Sequence, residues 1–110
     1  MRRYLTDDPE YAIATGNKNF DSQQTTGGKN TLAVILAGLN SNNAEVELEQ
    51  SIDNINWGLL PGSTQILAVG QTCHQWNING LPGGIYLRVV LRKGTATAGT
   101  VKSIKLLSDE

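Results

Sequence analysis

The chain has little of what usually announces chemistry. It has one cysteine, Cys73, which excludes an internal disulfide framework. Its one histidine, His74, is the next residue. Neighbours on a strand point to opposite faces, so these two cannot act together as nucleophile and base. A zinc site needs more ligands than this pair supplies. Aromatics are few, with two tryptophans, three tyrosines and one phenylalanine, so each large ring needs an explanation. The formal net charge of -1 provides no strong field towards nucleic acid or an anionic membrane. No apolar run approaches the roughly 18 residues of a membrane span. The first residues, MRRYLTDDPE, carry two arginines with no apolar run behind them, which is not the pattern of a signal peptide. The glycines around Lys93 and Gly94 lack the G-x-x-x-x-G-K-[ST] order of a phosphate loop. An enzyme therefore has no constellation to rest on, and no cofactor, metal, nucleic acid or membrane partner is expected. A reducing cytoplasm is the simplest home, and a particle assembled there and later released is equally compatible.

What is present is the punctuation of a β protein. Twelve glycines, with many Asn, Thr and Ser, separate short apolar runs, and no long segment has helical period. At 110 residues the chain fits one domain with a modest core. Residues 31–38 (TLAVILAG) are apolar on both faces, as in a central strand. Residues 44–50 (AEVELEQ) alternate, with Val46 and Leu48 inward and Glu45, Glu47 and Glu49 outward. Residues 63–69 and 71–78 read as two strands across a turn at Gly70. NGLPGG is a turn, and residues 85–92 place Ile85, Leu87, Val89 and Leu91 on one face, with Tyr86, Arg88 and Arg92 on the other. KGTATAGT reads as a flexible loop or hairpin tip before a last strand at 101–107. The fold class expected is all-β, a small β-sandwich or jelly roll of about six to eight strands with an extended N-terminal arm. The arm and its loop occupy 1–30 and the sandwich 31–110. Within the arm, TDDPEYAIATG fits either a short helix begun by Asp8 and Pro9 or a strand alternating through Tyr11, Ile13 and Thr15.

Three outward glutamates on one strand lie too far apart, at roughly 7 Å between same-face neighbours, to converge on one ion. They read instead as a solvated face, with Arg88 and Arg92 as charge partners if the strands are neighbours. Trp76 shares a strand face with His74 and Ile78 and reads as core. Trp57 follows the Asp53-Asn54 turn in SIDNINWGLLPG. It clamps that turn to the sandwich edge, meets another subunit, or serves with Tyr86 as a platform for sugar rings. Ser51-x-Asp53-Asn54-x-x-Trp57 resembles the S-x-D-G-x-x-W stretch of discoidin-like and other β-sandwich modules, with Asn54 in the place of the glycine.

A broader resemblance covers residues 45–107. VELEQSIDNINWGLLPGS followed by QWNINGLPGGIYLRVVLRKGTATAGTVKSIKL is similar to small structural proteins of tailed bacteriophages. YLRV paired with GTATAGT is the most specific part. The resemblance implies a capsid auxiliary (head decoration) protein, as in crAss-like phages, that binds and reinforces the assembled head. It further implies the major capsid protein or other virion proteins as partners, a homo-oligomer for which lattice threefold sites suit a trimer, and the capsid surface as location after assembly in the host cytoplasm. The candidate interface residues are Arg2, Arg3, Tyr4, Tyr11 and Trp57. The alternative is a carbohydrate-binding or adhesion module of a phage tail, a fibre or a cell surface.

Overall fold

A computed structural model describes residues 2–7, 10–25, 28–80 and 83–109, with side chains for 10–25, 28–80 and 83–107. The strands are β1 (Arg2–Asp7), β2 (Tyr11–Ala12), β3 (Lys18–Asn19), β4 (Gln23–Gln24), β5 (Lys29–Ala37), β6 (Glu45–Ser51), β7 (Gly58–Leu59), β8 (Gln65–Ile66), β9 (Cys73–Asn79), β10 (Tyr86–Arg92) and β11 (Thr100–Asp109). They form two antiparallel sheets packed face to face. The first runs β1-β11-β5-β9, with β2 also on β11; the second runs β3-β10-β6-β7, with β4 on β10 and β8 on β6. The protein is a β-sandwich.

The alternating strands build the core as their patterns dictate. Leu32, Val34 and Leu36 of β5, with Trp76 and Ile78 of β9 and Ile104 and Leu106 of β11, face Val46 and Leu48 of β6 and Leu87, Val89 and Leu91 of β10. β5 is central in its sheet, between β11 and β9. Its opposite face, Thr31, Ala33 and Ile35, is shielded enough to leave Ala33 buried. In β11 the inward residues Val101 and Ile104 break the two-residue period. A register shift between Val101 and Ser103 restores it, as a β-bulge does.

Two connections differ from expectation. Residues 63–69 contribute only the two-residue β8, which pairs with β6 rather than with the following strand. The turn at Gly70 (φ 77°) therefore carries the chain from one sheet to the other. KGTATAGT is likewise a crossover from β10 to β11, not a hairpin tip, because its two strands lie in different sheets. It is tied down by asparagines from the LNSNN turn. The Asn43 Oδ1 accepts from the Thr95 N–H (2.9 Å) and hydroxyl (2.9 Å), and the Asn40 Oδ1 accepts from the Thr97 and Ala98 N–H groups (3.1 Å each). Ala96, between them, is fully buried. A Cβ at Gly94 would collide with Asn43, so that contact itself calls for glycine.

The N-terminal segment is extended, and it is woven into both sheets. β1 and β2 pair with β11, while β3 and β4 pair with β10. Between β2 and β3, Ile13–Thr15 forms one turn of 3-10 helix, and the helix start considered above, Asp8 and Pro9, lies outside the described residues. Ile13 is fully buried and Phe20 is 5% exposed, both within the same core as the later strands. The Ile13 N–H donates to the Gly99 carbonyl at 3.0 Å, and the Phe20 N–H to the Val89 carbonyl at 2.9 Å. Pairing also shows no break at 30/31, since β5 starts at Lys29.

Candidate functional site

The outer face of the second sheet gathers Glu45, Glu47, Glu49, Arg88 and Arg92. Antiparallel register sets Arg88 opposite Glu49 and Arg92 opposite Glu45. The Arg88 Nε and Nη2 both donate to Glu49 Oε1, at 2.8 and 2.6 Å. Arg92 Nη1 reaches Glu45 Oε1 at 3.4 Å and also pairs with Glu47, whose residue is buried beneath it. The outward glutamates are thus held by the neighbouring strand's arginines, as the alternation anticipated, but Glu47 is buried under Arg92 and not solvated as the sequence suggested. Such pairs across partly exposed strands set register more than they stabilise.

At one end of this face lies the SIDNINWG turn, which local polar geometry builds almost alone. Ser51 Oγ accepts from the Asp53 and Asn54 N–H groups (3.2 and 2.8 Å) and donates to Asp53 Oδ1 (2.8 Å). Asp53 Oδ1 in turn accepts from the Ile55 and Asn56 N–H groups (2.9 and 2.8 Å), and Asp53 Oδ2 from the Asn56 side chain (2.7 Å). The Asn56 N–H and side-chain amide, with the Ile55 N–H and Ser51 hydroxyl, hold the Asp53 carboxyl well below the usual carboxylate range. Asn54 takes the left-handed conformation (φ 61°) that its glycine counterpart would allow. Trp57 leaves the turn half-buried, with the Arg88 guanidinium 4.3 Å from its ring centroid. The tryptophan therefore packs on the charged outer face and not into the core.

The turn leaves Ile52 (83% exposed) and Ile55 (77%) in solvent. Leu59, opposite Glu49, and Ile66, opposite Glu45, continue an apolar margin along β6, followed by Val69. Pattern reading missed this flank because it assigned 63–69 to a full strand and attended to Trp57 in the turn. The signal was two isoleucines inside an otherwise polar turn.

The expected interface residues do not converge. Arg2, Arg3 and Tyr4 run along β1 at the edge of the first sheet, opposite Asp109, Ser108 and Leu107, and their side chains lie outside the described residues. Tyr11 is half-buried and tied into the fold. Its hydroxyl donates to the Gly16 carbonyl (2.8 Å), its ring meets Phe20 edge to face, and it packs against the core. Trp57 lies on the second sheet. His74 faces inward from β9, edge-on to Trp76 at 4.7 Å, and burial lowers its pKa; Cys73 points to the other face. The Trp76 Nε1 donates to the Ser63 carbonyl at 2.7 Å, which makes it a core residue with a satisfied polar atom, as read from sequence. Among the described residues, no group of three His, Cys, Asp or Glu side chains is placed to hold a metal ion.

No protein-family model matches the chain, and no curated protein matches it. Among solved structures it is similar to Aeromonas hydrophila PliG, a periplasmic lysozyme inhibitor of g-type lysozyme. The identity is 16%, the match covers 97% of this chain and 84% of that chain, and the TM-score is 0.40. A likeness so distant carries no argument about function.

Proposed function

We propose that the protein is a non-enzymatic virion structural component of the capsid auxiliary type, which docks on an assembled tailed-phage head and reinforces it. The observation that carries this reading is a contrast on the second sheet. The ionisable side chains of its outer face are engaged with one another, whereas Ile52, Ile55, Leu59, Ile66 and Val69 stand uncovered along its margin. Exposed apolar side chains in such a row suit contact with another protein better than turnover of a small substrate. The resemblance of residues 45–107 to tailed-phage structural proteins supports a capsid or other virion protein as that partner. Weak contacts of this size gain avidity when an oligomer engages repeated lattice sites.

Co-sedimentation with assembled heads lacking the protein tests this reading. Wild-type protein should pellet with heads at a fixed copy number, and Ile52→Asp/Ile55→Asp should stay in the supernatant while melting like the wild type. Wild-type protein that shows no affinity for heads defeats the proposal. One observation favours the carbohydrate-binding alternative: Trp57 and Tyr86 are both half-buried beside polar groups on one sheet face. Arg88, however, already occupies one face of the indole. A glycan array probed with wild type and Trp57→Ala decides between the two.

A further inference from the structure

β9 ends the first sheet, and its outer edge has no neighbouring strand among the described residues. The Leu36 N–H donates to the Thr72 carbonyl (2.8 Å), continuing the register in which Ile35 faces Cys73. Hydrogen-bonded and non-hydrogen-bonded pairs alternate along an antiparallel ladder. His74, Trp76 and Ile78 therefore bond to β5, while Cys73, Gln75 and Asn77 turn their N–H and C=O groups to the open side. The Cys73 carbonyl is taken there by the Gln71 side-chain amide (3.0 Å), which agrees with that direction. The backbone groups of Gln75 and Asn77 meet no partner among the described residues, and both residues are exposed.

Edges left open in this way usually carry lysine, proline, a bulge or very short strands, which block pairing with another chain. The other edges of this protein follow that rule. β1 contains Arg2, Arg3 and Asp7, and the second sheet ends in two-residue strands. β9, CHQWNIN, is seven residues long, regular in register, and without lysine, acid or proline.

We propose that β9 is a homodimerisation edge, at which a second copy of this chain adds its own β9 antiparallel about a two-fold axis through Trp76. The occupant is a second copy because the edge is neutral and matches itself. β9 and the lining of the adjoining groove (about 320 Å³, between β9 and residues 60–65) contain no acidic residue, lysine or arginine. An identical strand meets no like charge, and a charged foreign segment finds no counter-charge. With Gln75 opposite the partner's Asn77, the open N–H and C=O groups of both residues are satisfied in both copies, by about four backbone hydrogen bonds. The exposed Gln75 and Asn77 amides then pair on the outer face, and the two Trp76 side chains face each other as a close, non-hydrogen-bonded pair over the groove mouths. The proposal rests on β9 alone and is independent of the virion reading.

Sedimentation of the full chain across about 1 μM to 1 mM should show a reversible monomer–dimer equilibrium. Gln75→Lys/Asn77→Lys places like charges opposite each other twice and should raise the dissociation constant about tenfold or more. Gln75→Lys/Asn77→Glu, which places opposite charges at the same positions, should restore dimerisation. Both variants change exposed side chains and should keep the wild-type circular dichroism; the Lys/Lys variant also loses the bond that the Thr31 hydroxyl donates to Asn77 Oδ1 (3.0 Å), an exposed contact that should lower its melting temperature only slightly. A wild-type chain that stays monomeric throughout, or a dimer equally stable in the Lys/Lys and Lys/Glu variants, overturns the proposal.

Discussion

Ile13→Ala tests whether the N-terminal segment belongs to the sandwich or merely lies on it. Ile13 is fully buried, and its N–H is bonded to the Gly99 carbonyl. Its Cδ1 packs so near Gly99 that a Cβ there would lie 3.2 Å from it. The substitution removes three carbons from that site, about 2.4 kcal/mol at roughly 0.8 per buried methylene. Leu39 and Gly99 are backbone-tethered and collapse only partly into the space, so a cavity term raises the loss to about 3 kcal/mol. Urea unfolding should show a midpoint lowered with an unchanged m-value, and thermal melting should drop by more than about 10 °C for a domain of this size. Ile55→Ala, at an isoleucine 77% exposed, serves as control and should change stability by no more than about 0.5 kcal/mol. If Ile13→Ala behaves like this control, residues 10–16 lie outside the cooperative core and the structural argument fails.

Asn43→Ala should destabilise the protein by about 1–3 kcal/mol, because it strips acceptors from the Thr95 N–H and hydroxyl and from the Ser41 hydroxyl together. Chemical denaturation measures the loss, and amide exchange should quicken at Thr95 before anywhere in β6. His74 provides a pH signature. Burial holds its folded pKa below the ordinary 6.5, so the unfolded chain takes up the proton first as pH falls. Stability should be level above about pH 7 and decline on acidification through 6.5, and His74→Gln should flatten that part of the profile. An unchanged slope in the variant refutes the assignment.

Much of the second sheet was legible because strand alternation is a local property. Val46 and Leu48 had to share a face, as did Leu87, Val89 and Leu91, and the outward glutamates and arginines then met once β6 and β10 paired. Trp76 was equally legible, since its same-face neighbours His74 and Ile78 lie two residues either side of it. The apolar flank was not. Ile52 stands in solvent in the turn after β6, and Ile66 lies on a two-residue strand where a full strand was expected, and local pattern carries no measure of either. Tyr11 looked available in a polar segment, but its hydroxyl found Gly16 and its ring Phe20 when that segment folded onto the core.

The sequence by itself determined an all-β chain, which residues point inward on β6, β9 and β10, and the Asp53-Asn54 turn. All of these follow from side-chain period and short-range hydrogen bonding, within a few residues. Tertiary structure alone decided which strands became neighbours and which turns crossed between sheets. It also bound Ile13 and Phe20 into the core and left β9, among the described residues, as an open edge. Those outcomes depend on pairings between residues far apart in the chain. Many strands could satisfy the same backbone hydrogen bonds, and only the joint packing of both sheets selects among them.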